Sequence, residues 1–291
     1  MQVDALKKLF KKAAKGTLPK DFNQWDLVYN SSGEPLQSVA KSLGRWALYI
    51  RDGVTIAAVA EYYGRLPADF DQWELSSFGS GYTVGHEAAE HNHLPANFDK
   101  WELATDSGRT VAHIAAECGT LPETFKNLAL ADEKGWSVAH ELARCKRLPE
   151  GFDQWALADK EGISVAHAAA ARDILPDDFN QWSLATDIGW TVAHVAARKG
   201  KMPATFAWWF LADVDGRTVA HEAAERSWLP QDFHDWHLAD KNGWTVAHEA
   251  ARHDKLPWFF DAGTFENALW TLADNQGRTV RDVYEKLRGR K

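Results

Sequence analysis

Seven histidines recur at one spacing, His86, His113, His140, His167, His194, His221 and His248, each 27 residues from the next. Imidazole is a common metal ligand and general base, so the row invites both readings. Zinc holds its ligands within about 2.1 Å, whereas equivalent positions on packed helices lie roughly 8–10 Å apart. The row therefore cannot chelate one ion. Residues 86–91 (HEAAEH) and 248–253 (HEAARH) come near the zinc-protease pattern. That chemistry needs histidines at i and i+4; these stand at i and i+5, roughly 140° apart around a helix. His91 and His93 could share an ion, but nothing else in the sequence supports a site there, and no metal is assigned. No phosphate-binding glycine loop, nucleophile elbow or Ser/His/Asp set stands out from the pattern. The expectation is a non-enzyme without catalytic residues or cofactor.

The histidines are one column of a repeat that runs from about Leu66 to Lys255. Leu-Pro pairs begin at Leu94, Leu121, Leu148 and Leu175, and Met202-Pro203, Leu229 and Leu256 continue the series. The template is close to L-P-x-x-F-x-x-W-x-L-A-D-x-x-G-x-T-V-A-H-x-A-A. Such a period signals units that bury their apolar faces against their neighbours. Thr or Ser before V-A-H suits a helix N-cap, and the Val and Ala positions make a small-residue face. The helix should end about eight residues later at Gly64, Asn92, Gly119, Asp173, Gly200, Ser227 or Asp254, types that tolerate a left-handed cap, with Lys146 as the exception. Leu-Pro is then expected to open a second, shorter helix, with Phe and Trp three residues apart on one face, as in Phe152 and Trp155. Trp73, Trp101, Trp155, Trp182, Trp209 and Trp236 are assigned to the core, with Leu128 in the same slot.

Counted by the turn glycine, from Gly33 and Gly53 to Gly277, there are ten repeats. The first two are degenerate, one residue is inserted near residues 78–80, and seven are inserted around residues 261–267. The expected organisation is one elongated domain over residues 1–291: an N-terminal capping helix (1–17), repeats (18–277) and a C-terminal capping helix (278–291).

The composition, 45% hydrophobic and 25% charged, fits a folded soluble chain. Residues 1–20 and 278–291 carry net charges of +5 and +4, which leaves about −17 on the middle of a chain of net charge −8. An acidic body argues against nucleic-acid binding, which depends on phosphate neutralisation. Cys118 and Cys145 fall in the same slot of adjacent repeats, too far apart for a disulfide, and read as free thiols. No apolar run is long enough for a signal peptide or membrane span, so a cytoplasmic, monomeric protein without membrane partners is expected.

Around D-x-x-G-x-[TS]-V-A-H-x-A-A, as in DEKGWSVAHELA at residues 132–143 and DKNGWTVAHEAA at 240–251, the chain resembles ankyrin repeats. Val replaces that family's Pro, Ala replaces its Leu, and the repeat is 27 residues instead of 33. The resemblance implies an all-α, ankyrin-like helical solenoid of about ten short helix–turn–helix repeats with terminal capping helices. It also implies that the histidine bonds to the capping hydroxyl and neighbouring backbone, and that function lies in binding another protein.

Positions that the template leaves variable are the candidate partner-binding residues. Between the turn glycine and the cap stand Tyr82, Arg109, Trp136, Ile163, Trp190, Arg217 and Trp244. Tyr, Trp and Arg dominate protein-binding hot spots. The competing reading is a stacked Trp/Arg ladder that covers the edge of the repeats. On the helix, Glu87, Glu141, Arg198 and Glu222 represent a second variable set, acidic early and more basic later. A solvated face and a polarised groove both fit it. The expected function is a non-catalytic protein-binding scaffold or inhibitor; the alternative is a small-ligand or glycan binder using the same aromatics.

Overall fold

Helix formation here starts from an accounting of free amides. The first amides of a helix have no partner within it. In each repeat they are satisfied by the segment just before: Val111 N–H donates to the Leu103 carbonyl (2.9 Å) and Ala112 N–H to the Trp101 carbonyl (3.2 Å). The next amide is held by the cap, as where His194 N–H donates to Thr191 Oγ1 at 3.3 Å. An eight-residue helix needs little more than this and an apolar face.

The computed structural model describes residues 3–28, 54–78, 81–256 and 268–289. Ten helices occur among them: α1 (Val3–Lys15), α2 (Ile56–Tyr62), α3 (Val84–His91), α4 (Val111–Cys118), α5 (Val138–Arg144), α6 (Val165–Arg172), α7 (Val192–Lys199), α8 (Val219–Arg226), α9 (Val246–Arg252) and α10 (Val280–Arg288). The turn glycines Gly33 and Gly53 of the degenerate repeats, and the insertion at 261–267, lie outside the described residues, as do residues 79 and 80 of the first insertion. Beside that insertion, β1 (Ser76–Phe78) pairs antiparallel with β2 (Tyr82–Thr83). Elsewhere the same connection is a single antiparallel bridge, such as Ala104 with Thr110 or Ala212 with Thr218.

The chain divides into two compact bodies, residues 1–149 and 150–291. In the first, α1 packs on α2, and α2 to α5 each pack on the next; in the second, α6 to α10 do the same. The contact faces are Val and Ala almost throughout, with Val111, Ala115 and Ala116 fully buried, as are Val192, Ala193 and Ala197. The spacing of α1 predicts its buried face correctly: Phe10 and Ala13 are buried, and Leu6 and Leu9 pack against the same core.

Among the described residues the second, shorter helix does not form. Leu-Pro opens two successive tight turns instead, in which Phe98 N–H donates to the Pro95 carbonyl (3.0 Å) and Leu103 N–H to the Lys100 carbonyl (3.2 Å). The Trp and Leu carbonyls at the end of this segment accept from the first amides of the following helix, as Trp101 and Leu103 do. The Phe and Trp still share one face. Phe70, Trp73, Phe98, Trp101 and Phe125 form an edge-to-face series with ring centroids 4.9–5.6 Å apart. In the second body the series runs from Phe152 and Trp155 through Phe179, Trp182, Phe206, Trp209 and Phe233 to Trp236, at 4.9–5.9 Å. Edge-to-face pairs add about 0.5–1.5 kcal/mol each beyond area burial.

All the expected left-handed caps adopt positive φ, and Lys146, the unsuited residue, does so too at φ 59°. A left-handed non-glycine residue costs roughly 1–2 kcal/mol. Lys146→Gly is therefore expected to raise stability by about 0.5–1 kcal/mol, part of the gain being lost to the greater freedom of the unfolded chain. A rightward shift of the urea midpoint at unchanged slope would register it; no shift would mean that the lysine stem compensates.

Candidate functional site

Within each body, repeats are joined to the next through a histidine. His113 Nδ1 lies 2.8 Å from Thr110 Oγ1 and accepts the Thr110 backbone N–H at 3.2 Å. Its Nε2 lies 2.9 Å from the carbonyl oxygen of Trp136, in the next repeat. A carbonyl only accepts, so Nε2 carries the proton and Nδ1 is the acceptor. Within the first body His86 holds the Arg109 carbonyl in the same way (3.1 Å). Within the second, His167, His194, His221 and His248 hold the carbonyls of Trp190, Arg217, Trp244 and Arg278 at 2.9–3.0 Å. In α10 Asp282 takes the slot: its carboxylate accepts from Thr279 N–H (2.8 Å) and Oγ1–H (2.7 Å). A carboxylate keeps the cap but has no N–H to give onward.

Arg109, Trp136, Trp190, Arg217 and Trp244 of the row are thus fixed at the backbone by the preceding histidine. A second bond fixes them from within the repeat. Asp132 Oδ1 accepts from Trp136 N–H, and Asp240 Oδ1 from Trp244 N–H, at 2.9 and 2.8 Å; Thr186 Oγ1 does the same for Trp190 at 3.2 Å. Turns of adjacent repeats also bond directly, as where Lys241 N–H donates to the Asp215 carbonyl at 2.9 Å. A Cβ on Gly108 would stand 2.6 Å from the Glu133 amide, so the turn needs glycine for the close approach as well as for its φ of 76°.

The side chains of the row are half-buried. Tyr82, Trp136, Trp190 and Trp244 lie over the rings of His86, His140, His194 and His248, centroids 4.6–5.0 Å apart, and cover the buried imidazoles. Ile163, also half-buried, has its amide on Asp159 Oδ1 (2.8 Å). Tyr82 Oη also donates to Glu90 (2.9 Å). The arginines reach sideways instead. Arg109 pairs with Glu117 and, at 2.7 Å, with Glu141 of the next repeat. Arg217 pairs with Glu222 (2.7 Å), Glu225 (2.9 Å) and Glu249 of the next repeat (3.5 Å).

The helix carboxylates, expected on a solvated face or groove, are instead buried: Glu87, Glu141, Glu222 and Glu249 occupy one slot beside the cap and are shielded from water. Carboxylates are tolerated inside when paired, and the row arginines supply the charge for Glu141, Glu222 and Glu249. Arg198, by contrast, is exposed. Glu249 was missed among the sequence candidates, although it follows Glu222 at 27 residues and could have been found by that register.

Within the second body these residues line an open cleft of about 1000 Å³. Trp244 forms its wall, its Nε1–H donating to Glu249 (2.7 Å) and its ring covered by Arg278 at 5.2 Å. Arg217, Arg252 and Lys286 also line the cleft. A smaller adjoining pocket of about 280 Å³ brings Arg198 beside Glu222, Glu249 and Arg252. Arg198, Arg252 and Lys286 are exposed and form no ion pair among the described residues. The first-body candidates Arg109 and Glu141 meet in a separate four-membered network with Glu117 and Arg144. Cys118 and Cys145 are free thiols, exposed and half-buried. No helix among the described residues is long and apolar enough to cross a membrane. Compared with known proteins, the chain matches no family model and no curated sequence.

Burial lowers the pKa of His86 to about 4 and also lowers those of His113, His194, His221 and His248, only partly opposed by the carbonyl each one holds. A folded-state pKa below the unfolded value of about 6.5 means that protons favour the unfolded chain. Stability from these groups is complete above pH 6.5 and is lost as pH falls towards 4. The urea midpoint is expected to drop across that window with uptake of more than one proton. A flat midpoint between pH 7 and pH 5 would contradict the assigned tautomer.

Proposed function

We propose that the protein is a non-catalytic binding protein built of shortened ankyrin-like repeats, and that its second body receives an acidic segment of a protein partner. The observation that carries this reading is the cleft around Trp244. The carboxylates on its wall are already engaged, Glu249 by Arg217 and Trp244 and Asp282 by its cap, whereas Arg252 and Lys286 in its lining, with Arg198 beside them, have no ionic partner among the described residues. An aromatic wall with unpaired cations around it suits a peptide that presents carboxylates, and cation–π and charge-assisted bonds would add to the apolar contact. Opposite charges would steer the encounter more than they hold the complex.

The helical repeats support the same reading. Small residues fill the helix interfaces, histidine fixes the backbone, and variation is left to the row and the helix ends. Such a scaffold presents side chains at regular intervals. The ankyrin-like assignment rests on the residues of the cap and turn. A cytoplasmic, monomeric protein that binds neither nucleic acid nor membrane completes the proposal.

The alternative, a glycan or small-ligand binder, draws on the same cleft, since Trp244 could stack on a sugar ring. Affinity capture with wild type and with the Arg198→Glu/Arg252→Glu/Lys286→Glu variant separates the two. These residues are exposed, so the variant should keep the wild-type melting temperature. The expected result is a protein captured by wild type, released by added salt, and bound at least about tenfold more weakly by the variant. Equal capture by both would move the binding surface elsewhere. Glycan-array binding lost in Trp244→Phe, without any protein capture, would favour the alternative.

A further inference from the structure

One side chain breaks the repeat where the repeat is strictest. The sixth residue after each N-cap is alanine in seven consecutive repeats, Ala89, Ala116, Ala143, Ala170, Ala197, Ala224 and Ala251, all buried against the neighbouring helix. In α2 that slot holds Glu61, and its side chain is only 1% exposed. A carboxylate in an alanine slot requires a positive partner. No lysine or arginine pairs with it among the described residues; two histidines of the next repeat do approach, His93 with Nδ1 at 2.8 Å and His91 with Nδ1 at 3.5 Å from the same oxygen.

The His91 contact misses hydrogen-bond geometry, and its Nδ1 is buried without any hydrogen-bond partner. An imidazole nitrogen aimed at a buried carboxylate and held by nothing is suited to a cation between the two. All three ligand atoms lie within 4.8 Å of one another. In a tetrahedral zinc site with bonds of about 2.0–2.1 Å, neighbouring ligand atoms lie about 3.3–3.4 Å apart. The Glu61–His91 spacing already fits. The His93 spacing must open by about half an ångström, which a ring 38% exposed on a connecting segment can do. Gly64 opposes the same ring and leaves it room: a Cβ there would stand 3.2 Å from His93 Cε1. The edge of the Tyr62 ring packs on His91 at 5.4 Å and sets its orientation. The Glu61 carboxylate raises the pKa of His91, and Glu87 and Glu90 add further negative charge near it.

We propose that Glu61, His91 and His93 form a binding site for a divalent transition-metal ion of the zinc type, with the ion completing its shell with water on the exposed side. Two imidazoles and one carboxylate match zinc and its borderline neighbours and disfavour magnesium and calcium, which take oxygen ligands. The other grouping of this kind, Glu225, Glu249 and His253, already has the Arg217 guanidinium against both carboxylates, and it takes no part in the proposal.

The test uses the full chain, Zn²⁺ by titration calorimetry, and Co²⁺ as a spectroscopic probe. Three variants replace each ligand by a residue that another repeat carries in that slot: Glu61→Ala as in Ala89, His93→Thr as in Thr120, and His91→Arg as in Arg172. Each should therefore fold, as circular dichroism would verify, and three independent variants guard against the loss of any one. Wild type is expected to bind one equivalent of Zn²⁺, to melt at a higher temperature with it, and to give tetrahedral Co²⁺ absorption without a thiolate band. Each variant should lose at least about tenfold in affinity and the melting shift, while His253→Arg keeps both. No saturable binding by wild type would overturn the proposal. So would binding that survives Glu61→Ala and His93→Thr unchanged, or that disappears in His253→Arg.

Discussion

The structure depends on one imidazole used at both ends. Nδ1 accepts from the capping residue of its own helix, and Nε2–H donates to a carbonyl of the next repeat. The first bond starts the helix; the second sets its distance and orientation from its neighbour. A neutral imidazole is well suited to this, since it is the only side chain that offers an acceptor and a donor on opposite edges of one rigid ring. Burial keeps it neutral, and the aromatic member of the row covers it where one is present. The Asp282 substitution in α10 separates the two roles, for its carboxylate reproduces the cap and cannot make the link.

Everything else in the repeat is arranged around that spacing. Alanine and valine line the helix contacts because larger side chains would push adjacent helices beyond reach of the histidine bond. The Leu-Pro segment runs as two turns, and the Trp and Leu carbonyls at its end serve the first amides of the next helix. Phe and Trp then fill the far side in an unbroken edge-to-face series within the second body, from Phe152 to Trp236. The turn glycine allows adjacent turns to bond backbone to backbone.

In the proposed binding function, contacts with a partner fall to what the spacing does not require. Arginines of the row are drawn inward by buried glutamates, so one of the three residue types that suggest a binding hot spot also holds neighbouring repeats together. The side chains left available are those at helix ends, Arg198, Arg252 and Lys286 among them, and the odd substitution such as Glu61. Departures from the template are better guides to activity here than the template itself.

The sequence by itself determined the period, the cap residues, the helix ends with left-handed geometry, and the extent of α1, because each follows from local chemistry repeated at a constant interval. It also assigned the tryptophans of the Phe-Trp series to the core; Trp73, Trp182, Trp209 and Trp236 are buried, whereas Trp101 and Trp155 are half-buried. Three matters were decided only by the tertiary structure. Among the described residues the second helix gives way to two turns whose end is bonded to the next helix; Glu141 and Glu222 are buried because arginines reach them; and Glu61 meets His93 across 32 residues of chain. All three depend on which groups the packing of adjacent elements brings face to face, and no helical period or turn preference encodes that.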